Sequence, residues 1–227
     1  FLFIIFFFNE GHKPKLVVFI VLDQATPDII KKYDHLFTGG LRWLIDYGIN
    51  FDSTYHEHGN TLTGPGYYSL ASGLFPGSGG VLANTWFDRD INRKWYCVED
   101  TLSYELSDST TGRSYQNINN TALGDWLIST YPNSKVISIS GKDRGAVFLG
   151  GKTPNIALWD DRKGGYTTSS YYSLSLPDWV TRFNQSMNID TYLDSTWDRI
   201  LPEEIYKNNT RIDNFKGENS WSRTDPV

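Results

Sequence analysis

Apolar residues run almost unbroken through "KLVVFIVLD", residues 15–23, and the pattern stops on an acid. A β-branched run of this kind leaves no position for a wet face, and it predicts a central parallel strand covered on both sides. The next residues, "QATPDIIKKY", place Thr26 as an N-cap and Pro27 at the first helical position, so a helix should follow directly. "GGLRWLIDYG" repeats its apolar residues at helical spacing and stops on glycine, whereas "INFDSTYHEHG" alternates as a strand does. Beyond "GNTLTGPGYYSLASG" come "TALGDWLISTYP" as a helix, "SKVISISGKDRG" and "NIALWDD" as strands, and "LPDWVTRFNQSM" as a helix with proline near its start. Strands alternating with helices predict an α/β fold, a layered sandwich with a mostly parallel central sheet flanked by helices. There is no internal repeat, and the polar, irregular "KNNTRIDNFKGENSWSRTDPV" reads as a connection leading onward.

The first residues break this pattern. "FLFIIFFF" fits the tail of a signal peptide's apolar region, too short for a bilayer span of about 20 residues. Residues 1–12 are therefore expected to be a leader remnant and residues 13–227 one catalytic domain, in a periplasmic or secreted protein without a stable membrane span. A buried first strand is the plainer reading of the same residues. A chain of 227 residues is long enough to bury one ordinary core. With 21 basic and 26 acidic residues scattered to a net charge of −5, it has no basic face for a nucleic-acid backbone. Cys97 is the only cysteine, so an internal disulfide is excluded and a packed thiol is expected.

Candidate chemistry gathers at three places. Asp23 closes the first strand, and ligands of open α/β sheets collect at strand carboxyl ends. Thr63 stands at the mouth of the helix begun by "GPGYYSLASG", where backbone N–H groups and the dipole favour anions. A hydroxyl there is placed to attack a phosphorus or sulfur centre once a base or a metal removes its proton. Lys142 and Arg144 lie two apart in "GKDRG", on one face if the segment is extended, and an ammonium beside a guanidinium suits a doubly charged phosphate monoester. Taken singly, each has a plainer role: a turn acid, an N-cap and a solvated turn. His56 and His58 alternate along the chain and could share a metal, but surface or packing roles suit them better.

Taken together, "VLDQATPD", "TLTGPGYYSLASGLFPGSGGVLANTWFD", "YCVED", "SISGKDRGAVFLGG" and "LPDWVTRFN" resemble, in order and spacing, the N-terminal half of the alkaline phosphatase superfamily. The branch is that of the type I phosphodiesterases and nucleotide pyrophosphatases. The resemblance covers residues 14 to about 210 and is strongest to bacterial periplasmic alkaline phosphatases with a threonine nucleophile. It implies that Asp23 is a zinc ligand and that Thr63 is the nucleophile, bound to the same zinc. It implies that Asn84 hydrogen-bonds a nonbridging phosphoryl oxygen and that Lys142 and Arg144 grip the remaining oxygens, as in the monoesterase members. Such an enzyme holds two zinc ions and hydrolyses small phosphate esters, and its other zinc ligands include histidines. The histidines here, His12, His35, His56 and His58, all precede Thr63. The chain is therefore expected to be incomplete at both ends, to carry the nucleophile and phosphate-binding half, and to be inactive by itself. Tyr67 departs from the pattern, since relatives usually carry histidine after "TGPG". A nucleotide phosphodiesterase or sulfatase relative, expected to lack the paired cations, and a non-catalytic remnant are the alternatives.

Overall fold

The computed structural model describes residues 2–5, 14–51, 54–187, 202 and 204. Strand β1, Leu2–Ile5, pairs antiparallel with β2, Val18–Val21, with Leu2 opposite Val21 and Ile5 opposite Val18. Helix α1, Pro27–Tyr33, starts as its sequence predicts: Thr26 is extended and its Oγ1 accepts the Ile29 N–H at 3.4 Å. A short 3-10 turn leads to α2, Gly39–Tyr47, and then to α3, Thr63–Ser72, which Gly73 closes in the left-handed region at φ +66°. After α4, Pro76–Gly79, come the hairpin of β3, Thr85–Asp88, with β4, Arg93–Tyr96, and the pair β5, Glu99–Tyr104, with β6, Thr111–Arg113. The remaining elements are α5, Leu123–Thr130; β7, Ile137–Ser140; α6, Asp143–Gly150; β8, Ile156–Asp160; β9, Tyr166–Thr167; and α7, Asp178–Ser186. Strand β8 lies between β7, which it joins in parallel, and β9, which runs against it.

The core forms where α3 packs on α6, which in turn covers β7 and β8. Phe148 of α6 is fully buried between the rings of Tyr68 and Tyr115, which meet it edge-on at 6.2 and 6.1 Å. The close approach of α4 depends on Gly79, because a Cβ there would lie 2.3 Å from Tyr68 Cζ. Buried Asp125 ties α5 to the loop after α6. Its carboxylate accepts from the N–H groups of Ala122, Lys152 and Thr153 and from the Thr153 hydroxyl, at 2.8–3.1 Å.

Three elements differ from their sequence readings. Among the described residues β2 pairs only with β1, and Val18 and Ile20 remain 42% exposed. The parallel pairing appears instead at β7–β8, since an apolar run shows that a strand wants cover without saying which strand supplies it. "INFDSTYHEHG" forms no strand among its described residues; residues 52 and 53 lie outside them. In "SKVISISGKDRG" the strand ends at Ser140 and Asp143 opens α6. The Lys142 N–H bonds Ser140 Oγ at 3.2 Å, and an acid in the first turn suits the positive helix end. The polar tail from Lys207 onward lies outside the described residues.

Candidate active site

Asp23 lies two residues beyond the end of β2, and Thr63 is the first helical residue of α3. Because the N-cap position belongs to Leu62, the Thr63 hydroxyl is not used as a cap. It donates instead to Asp23 Oδ2 at 3.3 Å, an oxygen that also accepts from Lys142 Nζ at 2.9 Å. The Lys142 hydrogen bond holds the Asp23 carboxyl below its ordinary range against partial burial, with the Lys142 charge, Thr63 and the Arg144 charge adding to it. A strand end, a helix start and the residue before α6 thus meet at one carboxylate.

The helix mouth offers fewer N–H groups than its sequence suggests. The Gly64 N–H donates to Asn84 Oδ1 at 2.7 Å, Pro65 has none, and the Gly66 N–H bonds Leu62 O at 2.9 Å. This moves the binding of an anion onto side chains. Asn84 is well placed for it, because its Oδ1 is engaged while Nδ2 has no partner among the described residues. Glycine at 64 leaves room for this approach: a Cβ there would sit 3.1 Å from Asn84 Oδ1 and 3.3 Å from Cys97 Sγ, tight enough that those side chains would have to give. Cys97 itself is buried, as its solitary thiol suggested, and burial pushes its pKa up to about 12.

Lys142 and Arg144 come together by a different route from the one expected. Lys142 is the N-cap residue of α6 and Arg144 lies in its first turn, so a helix start rather than a strand face presents both cations. Arg144 Nη1 donates to the Tyr96 hydroxyl at 2.9 Å, which in turn donates to Asp143 Oδ1 at 2.5 Å. Arg113 Nε donates to Asp143 Oδ2 at 2.9 Å, and its guanidinium stands over the Tyr96 ring at 5.2 Å. Tyr96 and Asp143 fall within "YCVED" and "GKDRG" with no role evident from their neighbours, and Arg113 falls in none of the motifs. No local signal marks an acid and a phenol far apart in the chain as partners.

Tyr67, the departure within the nucleophile motif, faces the same site. Its ring lies 3.2 Å from where a Cβ on Gly145 would stand, and burial followed by the Asp23 charge raises its phenol. His56 and His58 lie ring against ring at 5.1 Å, and His58 Nδ1 faces Asn60 O at 3.1 Å. As for zinc, Asp23 and Thr63 bring two hard oxygens together, which suits a share in a cation site. Among the described residues no cluster of three His, Cys, Asp or Glu joins them, so these two donors would be part of a larger set. Among the described residues no helix is long and apolar enough to cross a membrane.

An α/β frame that gathers Asp23, Thr63, Asn84, Lys142 and Arg144 in this way defines a class. The chain belongs to the type I phosphodiesterase / nucleotide pyrophosphatase family, whose model matches residues 17–218. It is 38% identical over 203 residues to the alkaline phosphatase PhoV of Synechococcus elongatus, covering 87% of this chain and 37% of that protein. Its fold matches the crystal structure of the wild-type alkaline phosphatase PafA with a TM-score of 0.80 and 28% identity, over 87% of this chain and 39% of that one. A solved PafA variant substituted at a threonine, an asparagine, a lysine and an arginine matches with a TM-score of 0.79 and 26% identity, over 84% of this chain and 38% of that one. The chain thus spans under two fifths of the length of these relatives. The α/β class expected from the alternation of elements stands, with the strands of the described residues divided among four small sheets.

Proposed function

We propose that this chain carries the nucleophile and the phosphate grip of a phosphate monoesterase of the alkaline phosphatase kind, periplasmic or secreted, acting on small phosphate esters. The observation that carries the reading is the meeting of Thr63 Oγ1 and Lys142 Nζ on one oxygen of Asp23. A hydroxyl nucleophile, a metal-binding acid and a phosphate-binding cation then share one small volume. The variant of PafA altered at Thr, Asn, Lys and Arg adds support, because those are the residue types of Thr63, Asn84, Lys142 and Arg144, in the same chain order.

In this reading the Thr63 oxygen attacks phosphorus, the bond to the leaving alcohol breaks, and a phosphothreonine forms that water later hydrolyses. The Thr63 proton faces Asp23 Oδ2, a carboxylate that Lys142 keeps acidic and hence a weak base. Zinc, held by Asp23 and Thr63 with ligands from outside the described residues, would supply the charge that lowers the hydroxyl pKa; the complete enzyme would hold two such ions. Asn84 Nδ2 donates to one nonbridging oxygen, while Lys142 turns from Asp23 to the phosphoryl group beside Arg144. Two cations match the second negative charge that a monoester has and a diester lacks, which favours this reading over a nucleotide phosphodiesterase.

The test is Thr63→Ala in the full-length protein. Turnover of an aryl phosphate is expected to vanish while the circular dichroism spectrum is kept. Acid quenching of the unaltered enzyme with 32P-labelled substrate should leave label on Thr63. Near-normal turnover by Thr63→Ala would overturn the assignment.

A further inference from the structure

We propose that Tyr96 is a positioning residue for Arg144, fixing the guanidinium against Asn84 and Thr63 and thereby setting the preference for monoesters. The inference rests on the monoesterase reading above. Its basis is the way three elements converge on one hydroxyl. Tyr96 ends β4 opposite Thr85 of β3, and the Cys97 N–H bonds Asn84 O at 3.0 Å, so the hairpin holds Tyr96 and Asn84 at the same end. Asn84 engages the start of α3 through Gly64, and Tyr96 engages the start of α6 through Arg144. One rigid hairpin therefore spans the nucleophile side and the cation side of the site.

The direction of the hydrogen bonds is forced. A phenol has one hydrogen, and here it goes to Asp143 Oδ1, so the remaining lone pairs face Arg144 Nη1 and can only accept. Asp143 is held in turn by Arg113 Nε and accepts the Arg144 backbone N–H at 2.7 Å, which pins the carboxylate at the head of α6. Arg144 Nε is buried without a hydrogen-bond partner and Nη1 lies 3.9 Å from Asp143 Oδ1, so the Tyr96 hydroxyl at 2.9 Å is the side chain's shortest hydrogen bond among the described residues. A guanidinium anchored at one end and free at the other presents a fixed edge to a phosphoryl group. Loss of the hydroxyl leaves the charge in place and releases its direction.

The experiment is a double-mutant cycle in the full-length protein with Tyr96→Phe, Arg144→Ala and the pair, reading kcat/KM for an aryl phosphate monoester and diester. Tyr96→Phe keeps the ring under Arg113. It is expected to lower monoester kcat/KM about tenfold, as the loss of one charge-assisted hydrogen bond would, and to leave the diester within about twofold. In the Arg144→Ala background it should cost nothing further. Losses that multiply across the cycle, or that fall equally on both esters, would overturn the proposal. If Arg144→Ala itself lowers both esters alike, the monoesterase reading fails, and the cycle still reports whether Tyr96 acts through Arg144. Asp143→Asn goes through the same cycle with thermal melts, and it decides the matter if Tyr96→Phe does not fold.

Discussion

Replacing both Lys142 and Arg144 by alanine tests the site where its geometry is most informative. The two cations are not equivalent. The Arg144 side chain is 20% exposed and anchored by Tyr96, so its bond to a phosphoryl oxygen should keep the upper part of the charge-assisted range, about 2–3 kcal/mol. The Lys142 side chain is 51% exposed and must leave Asp23 to reach substrate. Breaking that exposed ion pair costs up to about 1 kcal/mol, which leaves Lys142 a net contribution near 1 kcal/mol. The pair then supplies about 3–4 kcal/mol, a several-hundredfold loss in kcat/KM for a monoester on removal, with most of it lost at Arg144→Ala alone. A diester lacks the charge these groups answer and should lose no more than about tenfold. Steady-state kinetics of the full-length protein on matched aryl mono- and diesters measures both numbers. Equal losses on the two substrates, or a larger loss from Lys142→Ala than from Arg144→Ala, would refute the reasoning.

Asp125→Ala leaves four donors around α5 and the loop after α6 without their acceptor, and it is expected to cost about 3 kcal/mol of stability in a denaturant titration while leaving Thr63 in place. Cys97, raised by burial to about 12 from an ordinary 9.0, should resist thiol reagents in the folded protein and react once unfolded. Because its folded pKa is the higher one, its contribution is complete below pH 9 and is lost as pH rises toward 12, a slope that Cys97→Ala should remove from a stability–pH curve. The 227-residue chain produced by itself is expected to take up zinc weakly and to show no phosphatase activity above blank with added zinc, since among the described residues Asp23 and Thr63 offer two oxygens where zinc takes about four ligands. Stoichiometric zinc with clear turnover would refute this expectation.

Much of this molecule is written in short-range rules. Thr26 and Pro27 start α1 because a cap and a preset φ act within one turn, and the apolar spacing of "TALGDWLISTYP" and "LPDWVTRFNQSM" yields α5 and α7 for the same reason. The acid ending the first apolar run, the threonine at a helix mouth and the paired cations of "GKDRG" were legible as candidate chemistry from residue type and neighbours alone. Their meeting was not. Lys142 reaches Asp23 across 119 residues of chain and Thr63 reaches it across 40, contacts that exist only once α3 and α6 pack around Phe148. The same packing turns "GKDRG" from an extended segment into a helix start and recruits Tyr96 and Arg113 to hold it. Periodicity and capping describe what a segment prefers on its own, whereas hydrogen bonds between distant side chains depend on which faces burial brings together. Tertiary structure alone could therefore show that Arg144 is anchored by a phenol and that Asn84 takes the Gly64 N–H at the mouth of α3.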